Sequence, residues 1–176
     1  MDIHDATRSY ERWMGQHIEV WRPDLVHKHK KKMTKSPFLF LRATFYRWMQ
    51  VWPTAFEPLS DAPAVLAVGD LHIENFGTWR DAEGRLVWGV NDVDEASRLL
   101  YTQDLVRLAT SALLAIRARH FASSGRDACE AILTSARQAW RRLRVRRGRN
   151  RHRPARRHRS PPAERSRGFP RGSRRF

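Results

Sequence analysis

Apolar residues recur at three- and four-residue spacing along the first third of the chain. Tyr10, Trp13, Met14, Ile18 and Trp21 predict a helix over 5–21 with Asp5 as its N-cap. Pro23-Asp24 breaks that pattern. The next stretch, 28–35, holds five lysines in eight residues. It reads as a solvated face or loop, with a polyanion or nucleotide-phosphate contact as the functional alternative. Aromatic residues do not interleave with these lysines, so a nucleic-acid platform has little support. Ser36-Pro37 then starts a second helix, carrying Phe38, Leu41, Phe45, Trp48, Met49 and Trp52 as an apolar stripe over 37–52. Arg42 lies off the stripe and is a candidate phosphate contact or the partner of an acid. Pro53 and Pro58 mark a loop.

The pattern then shortens. Residues 64–68 predict a strand, 74–80 the outgoing arm of a hairpin, Asp81-Ala82-Glu83-Gly84 its turn and 85–91 its return. Thr102 is the expected cap of a long helix over 103–121, with Leu105, Leu108, Ala109, Ala112, Leu113 and Ile116 on one face. Another helix runs from about Arg126 to Val145. The expectation is an α+β domain over 1–145, mostly helical, with a small hairpin.

Charge divides the sequence. Lys and Arg number 34 against 18 acids, a formal +16. Sixteen arginines and a single acid, Glu164, fall from Arg141 onward, so residues 1–140 are close to neutral. Residues 146–176 have too few apolar side chains to offset the entropy of ordering and predict a disordered Arg/Pro-rich tail. Two readings of the tail stand. It is an arm that binds polyanions or nucleic acid, or it is the out-of-frame translation of a GC-rich gene, which truncates the domain at its C-terminal end. The lone Cys129 excludes an internal disulfide and a cysteine zinc cluster. No signal peptide and no bilayer-length apolar run is visible, so a cytoplasmic protein without a membrane partner is expected.

The chemistry concentrates where the short strands end. The first closes on Gly69-Asp70-Leu71-His72-Ile73-Glu74-Asn75, the third on Asn91-Asp92-Val93-Asp94-Glu95. Carboxylates there call for a partner or a task, because an unpaired buried carboxylate is costly. Phosphoryl transfer needs a carboxylate to orient the acceptor hydroxyl and oxygen ligands to hold Mg²⁺ on nucleotide phosphates. Asp70 is the candidate acceptor-orienting base, with His72 supporting its loop. Asn75 and Asp92 are candidate metal ligands. Asp94 and Glu95 are either further oxygen donors or a solvated turn. Asp104 is expected to open its helix or pair with Arg107, three residues along the same face.

The Gly69-Asp70-x-His72-x-x-Asn75 segment is similar to the catalytic loop of aminoglycoside and choline phosphotransferases. A closer resemblance, over about 8–125, is to the bacterial family called domain of unknown function 2252. It rests on Lys32-Met33, Ser36-Pro37-Phe38, Phe40-Leu41-Arg42, the loop continued through Phe76-Gly77, Asn91-Asp92-x-Asp94-Glu95, and Asp104-Leu105-x-Arg107-Leu108-Ala109. The resemblance implies a kinase C-lobe-like fold, Mg²⁺ and ATP as cofactors, and an acceptor that the motifs do not reveal. Members look permuted, with the glycine-rich loop and nucleotide lysine after this region, where the arginine-rich tail stands here. A partial domain of weak or no activity is therefore expected. The competing metallohydrolase reading uses Asp70-x-His72 as a ligand pair. That reading needs later histidines within the domain, and of His120, His152 and His158 two fall in the tail.

Overall fold

In the computed structural model the described residues are 2–19, 22–118 and 121–150. The protein divides into two compact units, Met1–Gln138 and Ala139–Phe176. The architecture is mixed α+β with small antiparallel sheets.

Helix α1 spans Ile3–His17 and α2 spans Pro23–Met33. The cap of α1 is Asp2, not Asp5: its carboxylate accepts from the Asp5 amide over 2.8 Å. Lys28, Lys30, Lys31 and Lys32 lie in the last turns of α2 and Lys35 beyond it, all of them exposed, as expected of a solvated face. Pro23 opens that helix rather than only ending the previous one, its fixed φ being ready-made for the first turn. Asp24 at its start and Lys30, Lys31 and Lys32 at its end both oppose the helix dipole favourably.

The single helix expected over 37–52 is two, α3 (Pro37–Ala43) and α4 (Phe45–Ala55). Thr44 leaves helical geometry between them at φ −124° and ψ 42°. Pro53 lies inside α4 rather than in the following loop. Ser36 caps α3 as expected, accepting from the Leu39 amide over 3.2 Å. Leu41, Trp48 and Trp52 form the buried core, with Phe45, Met49, Phe56, Leu100, Val106 and Leu114 packed on it.

Strand β1 (Ala64–Ala67) pairs antiparallel with β4 (Ser97–Leu100), an element the hydrophobic pattern did not reveal. The expected hairpin is present as β2 (Phe76–Arg80) and β3 (Leu86–Val90), also antiparallel. Its turn is held by the Asp81 carboxylate, which accepts from the Glu83 and Arg85 amides over 3.1 and 2.9 Å.

Helix α5 spans Tyr101–Arg117 and starts directly after β4, so Thr102 is not its cap. The Thr102 hydroxyl instead donates to the Leu59 carbonyl over 3.1 Å. The buried positions of α5 are Gln103, Arg107, Ser111, Ala112 and Ala115, whereas Leu113 of the expected apolar face is exposed. Gln103, Arg107 and Ser111 are spaced by four and form one polar stripe.

Helix α6 spans Gly125–Asn150, with the Ser124 hydroxyl accepting from the Asp127 amide over 3.1 Å. Residues 146–150 are thus helical, against the expectation of disorder there; arginine is a good helix former even without an apolar face to bury. The disorder expected over 151–176 lies outside the described residues.

Candidate functional site

The loop between β1 and β2 is built on the polar stripe of α5. Asp104, in the first turn of α5, accepts from the Val68 amide over 2.8 Å and the Gly69 amide over 3.0 Å. Four residues along from Arg107, the Ser111 hydroxyl accepts from the Ile73 amide over 3.1 Å and donates to Leu108 O over 2.7 Å. Between these two anchors Arg107 meets Asp70: Nε donates to Oδ1 over 2.9 Å, and Nη2 donates to the same oxygen. Arg107 Nη2 also donates to the Leu41 carbonyl over 2.6 Å. Its guanidinium lies 5.2 Å from the Phe45 ring centre and 5.3 Å from that of Trp48.

Arg107 is completely buried, while the Asp70 carboxylate keeps 22% exposure. Burial presses the Arg107 pKa down, and the Asp70 charge opposes that shift. Of the two readings of Asp104, the first holds, since it lies in the first turn of α5, and the alternative pairing with Arg107 is replaced by a tertiary pair. Asp104 is used up on backbone amides, and Arg107 points to the loop.

Gly69 precedes Asp70 at φ +89°. A Cβ there would sit 2.5 Å from the Glu95 carbonyl oxygen, so the two acidic segments touch through a position that only glycine fits. Asn75 joins them more firmly. Its Nδ2 donates to Asp70 O at 3.3 Å and to Asp92 O at 2.9 Å, and its Oδ1 accepts from the Asp92 amide at 2.8 Å. The Asn91 amide donates to Asn75 O over 2.9 Å. Asn75 is buried and works as a clamp between the two clusters, with one amide-oxygen lone pair beyond the Asp92 bond.

His72 is 3% exposed, with Nε2 3.8 Å from Asp70 Oδ2 and its ring edge-on to Phe38. Burial pushes its pKa below 6.5, and Asp70 pulls it back. Asp92 and Asp94 are exposed, and Asp92 Oδ1 accepts from the Asp94 amide over 3.1 Å. Arg42 is exposed on α3, 3.4 Å from Glu74. Glu95 is exposed overall, and partial desolvation, then the Asp70 charge, raise its pKa from 4.5.

Among the described residues no three His, Cys, Asp or Glu side chains gather closely enough to cage a metal ion. A nucleotide-bound Mg²⁺ needs less, because it uses one or two carboxylates and completes its shell with phosphate and water. The Asp92 and Asp94 carboxylates and the Asn75 amide oxygen are the oxygen type of ligand that such an ion takes, and Asp92 retains an oxygen not engaged by the Asp94 amide.

Sequence reasoning missed Ser111 and the true partners of Asp104 and Arg107. The signal that could have found them is the four-residue spacing of Gln103, Arg107 and Ser111 along a helix whose neighbouring positions are largely aliphatic.

Fold and site together define a mixed α+β domain whose acidic loop is carried by a polar helix face. The protein belongs to the bacterial family described as "uncharacterized protein conserved in bacteria" (DUF2252), whose model matches residues 22–160. No curated protein and no solved structure matches it. Among the described residues no helix is long and apolar enough to cross a membrane.

Proposed function

We propose that this domain carries the acceptor- and metal-binding half of a kinase-like phosphotransferase site. Asp70 orients the acceptor hydroxyl and receives its proton at Oδ2, the oxygen not engaged by Arg107. Asp92 is the principal Mg²⁺ ligand, with Asp94 and the free lone pair of Asn75 Oδ1 as further donors. Bound Mg²⁺ with ATP would supply charge neutralisation on the transferring phosphoryl group. His72, neutral and buried, supports the loop, and Arg42 is the nearby guanidinium available to phosphate if Glu74 releases it.

The observation that carries this reading is the Asn75 clamp. One side chain holds the backbone of both Asp70 and Asp92, which lie 22 residues apart in sequence, in a single fixed register.

Calorimetric titration with ATP, with and without Mg²⁺, tests it in a form whose reading frame beyond codon 141 is restored, since the half-site alone lacks the nucleotide-holding segment. The expected result is Mg²⁺-dependent binding that weakens at least about tenfold in Asp92→Ala. Binding unchanged by that substitution removes the metal assignment. Mg²⁺-dependent ATP turnover that persists in Asp70→Asn removes the base.

A further inference from the structure

A cavity of about 650 Å³ opens between α1, α2, α3 and α4, with Glu95 at one side. Its size is that of a small-molecule site. Most of its wall is apolar or aromatic: Tyr10, Trp13, Met14, Phe45, Tyr46 and Met49. The polar groups on the wall are largely consumed by one another. Lys30 Nζ is 2.7 Å from Glu11 Oε1, the Thr7 hydroxyl bonds the Tyr46 hydroxyl at 2.8 Å, and Arg42 faces Glu74 at 3.4 Å.

Glu95 is the exception. It is exposed at the cavity's side, and among the described residues its carboxylate has no hydrogen-bond or ion-pair partner. The cavity therefore offers a large apolar volume and one uncompensated negative charge.

We propose that this cavity binds a small organic monocation, an ammonium group carried on an apolar body of aromatic size, with the ammonium on Glu95. A polyhydroxylated ligand is disfavoured, since the wall has few free donors or acceptors to replace its lost water contacts. An anion is disfavoured because Lys30 inside the wall is held by Glu11 at 2.7 Å and the unpartnered wall charge, Glu95, is negative. The proposal does not rest on phosphoryl transfer, and its test uses no nucleotide.

The test is calorimetric titration of the full-length protein with three probes of matched shape: phenethylammonium, 2-phenylethanol and 3-phenylpropionate. Phenethylammonium is expected to bind about fivefold more tightly than the alcohol, the scale of an ion pair to an exposed carboxylate, and the carboxylate more weakly still. Glu95→Gln is expected to erase the preference for the amine over the alcohol while leaving the alcohol unaffected. Equal binding of amine and alcohol, a preference for the carboxylate, no binding of the amine, or an amine preference that survives Glu95→Gln each overturns the proposal. Should Glu95→Gln fail to fold, the comparison of the three probes on the unmodified protein still decides it.

Discussion

Arg107 Nε donates to Asp70 Oδ1 over 2.9 Å, bringing together residues 37 apart in sequence. The pair joins the middle of α5 to the loop that carries the candidate base. Because Arg107 has no solvent exposure, the bond is also the only charge compensation its guanidinium receives through a direct ion pair among the described residues.

Truncating either partner is therefore expected to cost stability as well as any activity. Asp70→Ala leaves an uncompensated buried cation, and a loss of about 3 kcal/mol is expected from urea unfolding. Arg107→Lys is expected to be nearly as damaging. An ammonium cannot keep the donors to Asp70 and Leu41 O together with the planar contacts to Phe45 and Trp48.

Asn75→Asp replaces an amide by a group of the same shape, yet it removes both Nδ2 donors and sets a carboxylate against the Asp70 and Asp92 carbonyls. A loss of about 2 kcal/mol is expected by denaturant midpoint, with Asn75→Ala similar because it orphans the Asp92 amide. Hydrogen exchange at that amide is expected to accelerate in the alanine variant.

Two glycines with positive φ separate strain from crowding. Gly84 has φ +78° and open space where a Cβ would lie, so Gly84→Ala is expected to cost about 1 kcal/mol for backbone strain alone. Gly69→Ala adds the 2.5 Å collision with the Glu95 carbonyl and is expected to cost clearly more in the same unfolding assay. Equal losses at the two sites would show that the contact between the acidic segments is not tight.

His72 predicts a pH window. Its folded pKa lies below the ordinary 6.5, so between those two values the unfolded protein binds a proton that the native one refuses. Its contribution to stability is thus full above about pH 6.5 and falls as pH drops toward the folded value. Urea midpoints measured across this range are expected to fall with pH more steeply in the natural protein than in His72→Gln. Glu95, raised from 4.5, acts with the opposite sign: its native site disfavours the charged form, so its contribution declines as pH rises above about 4.5.

The acidic motifs were legible in sequence because their content is local. A glycine, an aspartate and an asparagine at fixed spacing after an apolar run specify a loop, and Asp81 to Gly84 specify a turn. The boundary of the family match at residue 160 lies beyond the quoted motifs, which end at Ala109, and runs past Arg141, where the composition changes. The break at Thr44 was not legible, since the apolar stripe keeps its period straight across it. Strand β4 was hidden for a related reason: Ser97-Arg98-Leu99-Leu100 runs into α5 without a punctuating residue, and only pairing with β1 makes it a strand.

What the sequence by itself determined is the set of short-range choices: helix periodicity, the Ser36 cap, the hairpin, and the acids that end the strands. Tertiary structure alone decided how those acids are used. Within a helix Arg107 is within reach of Asp104, and local spacing favours that pair. The fold instead places backbone amides of Val68 and Gly69 against Asp104 and the Asp70 carboxylate against Arg107. A buried guanidinium takes whichever carboxylate the packing brings into its plane, and packing is a property of the whole fold rather than of the residues beside it.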